Sequence, residues 1–253
     1  MASMTELMDT IQERYERLQE RIRRAAERVQ RDPQKITVVA VTKTWPAEVV
    51  VAAHTAGIRH FGENRAEELE EKRPQVEAML GPDNGITWHL IGPLQSRKTT
   101  IAADNADFFH ALDRLKIARR LSKRLQETGR TLPVLLEVNV SGEESKHGFD
   151  ATRWDEDEAQ RQKLRDIAAK IAELPSLEIR GLMTMAPWEA ETEVIQGIFR
   201  RTHALARWLE ETAPQASWSD LSMGMTDDFE LAIEQGATHV RIGRALFGPR
   251  QTP

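Results

Sequence analysis

Lys43, in the run AVTKTWP, is the side chain of this sequence best suited to covalent chemistry. The preceding segment Ile36–Thr42 is rich in β-branched residues. Alternation along a strand puts Val39, Val41 and Lys43 on one face and Val38, Ala40 and Thr42 on the other. With the bulkier valines turned to a core, Lys43 leaves the strand end above it. An ammonium group is costly to keep charged there, and its neutral amine is a nucleophile toward carbonyl carbon. The plainer alternatives are a lysine that snorkels outward or one that pairs with Glu63. A second group of candidates lies near the C-terminus. Ser222, Met223 and Gly224 precede a helix starting near Thr226, and Arg241 precedes Gly243 and Arg244. Glycines let backbone N–H groups approach an anion closely and helix starts orient such donors, so both segments suit phosphate. His89 could act as general acid or base, but no Ser or acid accompanies it at diagnostic spacing, and a hydrogen bonder at the barrel rim is expected. Lys98 and Lys146 are further amines for which ordinary exposed lysines are the simpler account.

These residues need a scaffold that brings position 43 to positions 222–244. Runs of β-branched or aromatic residues occur at Ile36–Thr42, Ile58–Phe61, Thr87–Ile91, Asp107–Ala111, Val134–Val140, Glu178–Met183, Trp218–Met223 and His239–Ile242. Helical patterns lie between most of them, clearest at Pro46–Ala56, Asn64–Leu80, Arg114–Thr128, Trp154–Leu174, Glu189–Glu211 and Asp227–Gln235. Strands alternating with helices pair in parallel through crossovers, so this α/β pattern of eight units predicts a closed (β/α)8 TIM barrel. An open doubly wound sheet would carry a glycine fingerprint after its first strand, and TKTWP stands there instead. In a barrel the chemistry gathers where strands end, and the loops after the seventh and eighth strands are the usual phosphate site. Lys43 ends the first strand; Gly224 and Gly243 follow the seventh and eighth. An amine able to form an imine, facing a phosphate cradle, describes a pyridoxal phosphate site. Arg241 shares a strand face with Gly243. An arginine can only donate, so beside a pyridine nitrogen it leaves that nitrogen unprotonated and weakens the ring as an electron sink.

Ahead of the barrel, Leu7, Ile11, Tyr15, Leu18, Ile22, Ala25 and Val29 recur at spacings of four or three, which puts one apolar stripe on a helix of about residues 5–31. Glu13 to Arg17, Glu20 to Arg24 and Glu27 to Arg31 are favourable pairs on it. The seam stops at Asp32-Pro33, so a helix laid on its own domain is expected ahead of a coiled-coil arm. No Gly, Ser or Pro-rich linker divides the chain. One domain over residues 1–253 follows, with the barrel at about 36–250. Trp154–Arg165 reads as a solvated helix face with Asp155 to Asp157 at its positive end, and the scattered tryptophans as packing residues.

Composition removes several classes of function. The 253 residues hold no cysteine, which excludes disulfides, thiolate metal sites and a cysteine nucleophile, and fits a reducing cytosol. With 35 Lys plus Arg against 40 Asp plus Glu, the net charge is −5, unsuited to general nucleic-acid binding. No apolar run is long enough to span a membrane and no signal-peptide core opens the chain. The histidines form no HExxH or comparable spacing, so no metal is expected; Walker and GxSxG motifs are absent as well. Asn139-Val140-Ser141 matches a glycosylation acceptor by chance in an expected strand.

Taken together, AVTKTWP, HFGENRAEE, WHLIGPLQSRK, LEVNVSGEESKHGF, GLMTM and LSMGMTDDFELAIEQGATHVRIGRALFG resemble the YggS/PROSC family of pyridoxal-phosphate homeostasis proteins, from about Ile36 to Arg250. That family's fold is similar to the N-terminal barrel of bacterial alanine racemase. The resemblance implies that Lys43 holds pyridoxal 5'-phosphate as an internal aldimine. It implies that Ser222, Met223, Gly224, Gly243 and Arg244 surround the phosphate, that Arg241 faces the pyridine nitrogen, and that Asn64 and His89 lie near the ring. Arg244 is a departure, since many members carry a small hydroxyl residue there. Met1 to about Glu6 lies outside the resemblance and is expected to fray.

The function implied is that of a cytoplasmic carrier or regulator in vitamin B6 homeostasis, a monomer or weak dimer, with pyridoxal phosphate-dependent client enzymes as partners and no catalytic residues of its own. Alanine racemase takes its second proton acceptor, a tyrosine, from a further β-rich domain. The one tyrosine here is Tyr15, in the first helix, and the chain is expected to lack that domain. A monomeric pyridoxal phosphate-dependent amino-acid racemase or lyase is the alternative.

Overall fold

Each apolar strand is followed by a helix that returns the chain to the same end of the sheet, which forces parallel pairing. In the computed structural model, which describes residues 4–143 and 147–249, the strands are β1 (Thr37–Val41), β2 (His60–Glu63), β3 (Thr87–Leu90), β4 (Phe108–Leu112), β5 (Leu132–Asn139), β6 (Phe149–Asp150), β7 (Leu177–Met183), β8 (Asp220–Ser222) and β9 (His239–Ile242). All but β6 form a ring, β1-β2-β3-β4-β5-β7-β8-β9, which closes where β9 pairs with β1. The (β/α)8 barrel expected from the sequence is therefore present. The two-residue β6 pairs with the end of β5 and is an addition that no sequence pattern announced.

The helices are α1 (Met4–Arg28), α2 (Ala47–Thr55), α3 (Ala66–Leu80), α4 (Thr99–Asn105), α5 (Leu115–Thr128), α6 (Glu158–Ala172), α7 (Thr192–Thr212), α8 (Phe229–Glu234) and α9 (Arg244–Phe247). Two expectations need correction. Helix α6 starts at Glu158, not Trp154, because the Asp157 side chain caps it by accepting from the amides of Ala159 and Gln160. Trp154 is buried, and Arg161 reaches back to its carbonyl at 2.7 Å. At the N-terminus, Met4 to Glu6 are helical, and the Thr10 hydroxyl donates to Glu6 O at 2.8 Å; Met1 to Ser3 lie outside the described residues.

Helix α1 lies on its own domain, against α2, α8 and α9, and buries Ile11, Leu18, Ile22, Ala25 and Ala26. Arg24 pairs with Glu20 as expected. Glu27 takes Arg23 instead of Arg31, because Arg31 is drawn under the helix to the carbonyls of Ile233 and Ala237.

Strand registers decide what faces the barrel axis. Val39 stands level with Arg241, Thr37 with His239, Val41 with Gly62, and Gly62 with His89, so these residues share the inner face. Alternation sends Phe61, Trp88, Phe109, Val240 and Ile242 outward to the helices, where the apolar core forms. Branched aliphatic side chains usually fill a barrel of this kind. Here His89, His110, Glu137, Ser222, His239 and Arg241 are buried, and the axis is polar.

Candidate functional site

Lys43 continues the inner face of β1 just past the strand end and is half-buried. Thr42, pointing the other way, locks the turn from behind. Its hydroxyl donates to Glu63 Oε1 at 2.8 Å, its amide to Gly62 O at 3.1 Å, and its carbonyl accepts from Trp45 N and from Lys72 Nζ. Thr44 is left-handed at φ 68°, a conformation that costs a non-glycine residue energy and marks a turn fixed by its surroundings. Glu63, weighed as a partner for Lys43, is held by Lys72 at 2.5 Å on the outer side of the strand. Burial outweighs that cation and pushes the Glu63 carboxyl up to about 7.

Arg241 forms the floor below. It is 4% exposed; one guanidinium nitrogen donates to Ser222 O and Oγ at 2.8 and 2.7 Å, the other to Thr184 O at 3.0 Å. These take three of the five N–H donors an arginine carries, leaving two. Burial pushes its pKa down to about 10, and Asp228 and Glu137 work against that shift, so it is a cation at neutral pH. Glu137 of β5 is 3% exposed, and its Oε2 meets no protein partner. Burial first and repulsion from Asp113 second push it up to about 7.

Three histidines continue the polar column. His110 Nδ1 lies 2.9 Å from Ser222 Oγ, His89 Nδ1 2.8 Å from His110 Nε2, and His60 Nδ1 3.0 Å from His89 Nε2. Burial holds His89 and His110 well below the usual histidine range, and His239 is pushed down to about 4 for the same reason.

The loops after β8 and β9 meet at the mouth. Gly224 has φ 94°, and a Cβ there would stand 2.6 Å from Ala232 Cβ and 2.9 Å from Phe229 Cα, so only glycine fits. Asp228 folds the loop by accepting from Met225 N at 2.6 Å, and Thr226 Oγ1 accepts from Ala245 N at 3.3 Å. Arg244 pairs with Asp227, and its guanidinium lies 5.7 Å from the ring centroid of Trp188, which is 67% exposed on the loop after β7. Trp188 is therefore no packing residue.

The structure thus gathers Lys43, Gly224, Gly243 and Arg244 at the C-terminal ends of strands, with Arg241 beneath. Asn64 is half-buried in the loop after β2, its carbonyl against Gly92. His89 lies inside the barrel, not at the rim, and both its nitrogens are taken by other histidines. The Ser222 hydroxyl is likewise engaged by Arg241 and His110, and the Met223 amide donates to His239 O at 3.1 Å. Lys98 pairs with Glu67 at 2.7 Å, and Lys146 lies outside the described residues. Asn139 uses its side-chain oxygen to accept from the amides of Ser141 and Gly142. The sequence reading missed Trp188, Asp227, Glu137 and His110. Only Glu137 carried a local signal, a lone acid inside the apolar run LLEVN.

The residues present fit a phosphorylated pyridine aldehyde: an amine at the mouth, a glycine loop that a side chain would block, a buried cation with spare donors and a buried carboxyl oxygen without a partner. Among the described residues no helix is long and apolar enough to cross a membrane. The alanine racemase N-terminal domain family matches residues 14–251. A pyridoxal phosphate homeostasis protein of Pseudomonas aeruginosa is 41% identical over 243 residues, 96% of this chain and 97% of that one. Its counterpart in Vibrio alginolyticus is 38% identical, over 96% and 99%. The structure of PipY from Synechococcus elongatus PCC7942 with PLP bound is 34% identical, with a TM-score of 0.76 over 94% of this chain and 100% of that one. An alanine racemase of Clostridium difficile is 15% identical, with a TM-score of 0.69 over 96% of this chain and 58% of the racemase, and shares the fold. The chain belongs to the pyridoxal phosphate homeostasis protein family, built on the alanine racemase N-terminal domain.

Proposed function

We propose that this chain binds pyridoxal 5'-phosphate through Lys43 and serves as a cytoplasmic carrier or regulator of that cofactor, handing it to cofactor-dependent client enzymes. The observation that carries this is the buried Arg241, fixed on the inner face that Lys43 continues, with two N–H donors left over. Bound there, the cofactor supplies an electrophilic aldehyde and a pyridine ring that can withdraw electrons. Lys43 offers the amine for the aldehyde carbon. Gly224, Gly243, Thr226 and Arg244 would hold the phosphate, and Asn64, in the loop after β2, would lie near the ring. Arg241 can only donate to the ring nitrogen, which keeps that nitrogen unprotonated and limits electron withdrawal from a bound amino acid. Tyr15 lines a cavity with Thr37 and His60 at the N-terminal ends of the strands, so it is no second base for the mouth. Holding the cofactor, not turning over substrate, follows from both features.

Incubation with pyridoxal phosphate should turn the protein yellow, and borohydride should fix the cofactor's mass on Lys43. Lys43→Ala should remain colourless and unlabelled. A colourless wild type, or a label on the variant, overturns the assignment. Exchange of amino-acid α-protons in deuterated water should stay far below the ~1–10³ s⁻¹ of ordinary enzymes; a rate within that range argues for an enzyme instead.

A further inference from the structure

The polar column beneath Arg241 has a direction. Arginine can only donate, so Ser222 Oγ accepts from it at 2.7 Å. The Ser222 hydroxyl has one proton to give, and in this fully buried position its acceptor is His110 Nδ1 at 2.9 Å. His110 is neutral, so its proton sits on Nε2 and is donated to His89 Nδ1 at 2.8 Å. His89 Nε2 then donates to His60 Nδ1 at 3.0 Å. His60 is half-buried and lines a cavity of about 640 Å³ between α1 and the N-terminal strand ends, together with Tyr15, Gln19, Gln34 and Arg59. The opposite polarity would drive His110 Nδ1–H into Ser222 Oγ. That oxygen would receive two donors, and its own proton would be left without a protein acceptor in a fully buried position. Phe108 and His239 stand edge-on to His110, with centroids at 4.7 and 5.7 Å, and hold its ring plane. Among the described residues no group of three or more His, Asp or Glu is arranged to hold a metal ion, so the rings serve one another.

We propose that Ser222, His110, His89 and His60 are positioning residues, a one-way hydrogen-bond relay that fixes the Arg241 guanidinium beneath the mouth and couples it to the cavity at the far end of the barrel. Hydrogen bonds in series polarise one another, so an acceptor seated on His60 is felt at Arg241. The relay stands on protein geometry alone; its consequence for the cofactor rests on the function proposed above.

The test is ¹⁵N NMR of the histidine rings in protein free of cofactor. All three histidines of the wild type should carry the proton on Nε2, with Nε2-to-Nδ1 couplings across both His–His hydrogen bonds. The reversed tautomer should stay below about one-tenth, the penalty of a buried unmatched hydroxyl. His110→Phe keeps a ring but removes both nitrogens, and the share of Nδ1–H at His60 should rise several-fold. His110→Gln should restore the wild-type pattern, because an amide accepts through oxygen and donates through nitrogen as His110 does. An Nδ1–H on His60, His89 or His110 in the wild type overturns the relay, as does an unchanged His60 in His110→Phe. If the phenylalanine variant does not fold, the wild-type and glutamine spectra decide. In a second arm, pyridoxal phosphate should dissociate about ten-fold more readily from His110→Phe, as for one lost hydrogen bond, and normally from His110→Gln. Equal affinities overturn the coupling to Arg241. A wild type that binds no cofactor sinks the proposed function and leaves the tautomer result standing.

Discussion

The floor of the barrel and its mouth are built from similar polar residues under opposite physics. At the floor, Arg241 is 4% exposed and donates to three protein acceptors. At the mouth, the Arg244–Asp227 pair has side chains 50% and 62% exposed. A desolvated cation is bound to its geometry, since moving it leaves buried acceptors unmatched. A solvated one is screened and free to exchange partners. The floor therefore holds its groups in one orientation, and the exposed pair at the mouth can exchange partners without disturbing the fold.

Substitutions at the two ends should differ in size accordingly. Arg241→Leu leaves Ser222 Oγ and Thr184 O without their donor and Glu137 without its nearby cation. It should cost about 3–5 kcal/mol, read as a lower urea midpoint at unchanged slope. A loss below about 1 kcal/mol would erase the distinction between the ends.

The buried histidines give the floor a pH dependence of definite sign. His239 falls from an ordinary 6.5 to about 4 in the folded chain, so between those values the unfolded chain binds a proton that the native one does not. Stability should fall as the pH drops through this range, by about 3 kcal/mol for this residue, with His60, His89 and His110 adding in the same sense. Glu63 and Glu137, raised to about 7, act oppositely: their native protons stabilise as the pH falls from about 7 toward 4.5. Urea titrations at pH 7 and pH 4 should show His239→Gln spared about 3 kcal/mol of acid destabilisation relative to the wild type, whatever the carboxyls contribute to both. An equal change in the two proteins would mean that His239 is protonated in the native state.

Gly224→Ala sharpens the comparison from the other side, because one part of the mouth is rigid. The new Cβ would sit in a left-handed conformation against Phe229 Cα. The cost should be about 2 kcal/mol by thermal unfolding, with the glycine loop displaced. A neutral effect would show the β8 loop to be as pliable as the Arg244 rim.

The mouth was largely legible in the sequence, and of the floor only Arg241 was, for a physical reason. Lys43 and Gly243 each follow a β-branched run and Gly224 a short run of Trp, Leu and Met, so strand rhythm alone assigned them to one end of a barrel. His60, His89, His110 and Ser222 come from four strands, separated by 29, 21 and 112 positions. Each looks like an isolated polar residue until the register stacks them. His89 was accordingly expected at the rim, and the Ser222 hydroxyl near the phosphate. Trp188 passed as packing because a lone tryptophan in a loop carries no sign of which way it points.

Arg244 offers the smallest effect on stability and the clearest separation of the two roles. Its ion pair with Asp227 is exposed, and exposed pairs contribute roughly 0–1 kcal/mol; the contact with the Trp188 face adds about as much at a solvated site. Arg244→Ala should therefore leave the melting temperature within about 2 °C of the wild type. Its effect on ligand should be larger. A cation at the rim attracts a phosphate dianion through partly screened solvent, so the variant should bind pyridoxal phosphate about five- to ten-fold more weakly, with a shallower dependence on salt. Pyridoxal, which has an aldehyde and ring but no phosphate, should bind both proteins equally. Asp227→Asn should shift affinity the other way by releasing Arg244 toward the ligand. If Arg244→Ala weakens pyridoxal as much as its phosphate ester, the arginine shapes the mouth instead of reading charge, and orientation would no longer belong to the floor alone.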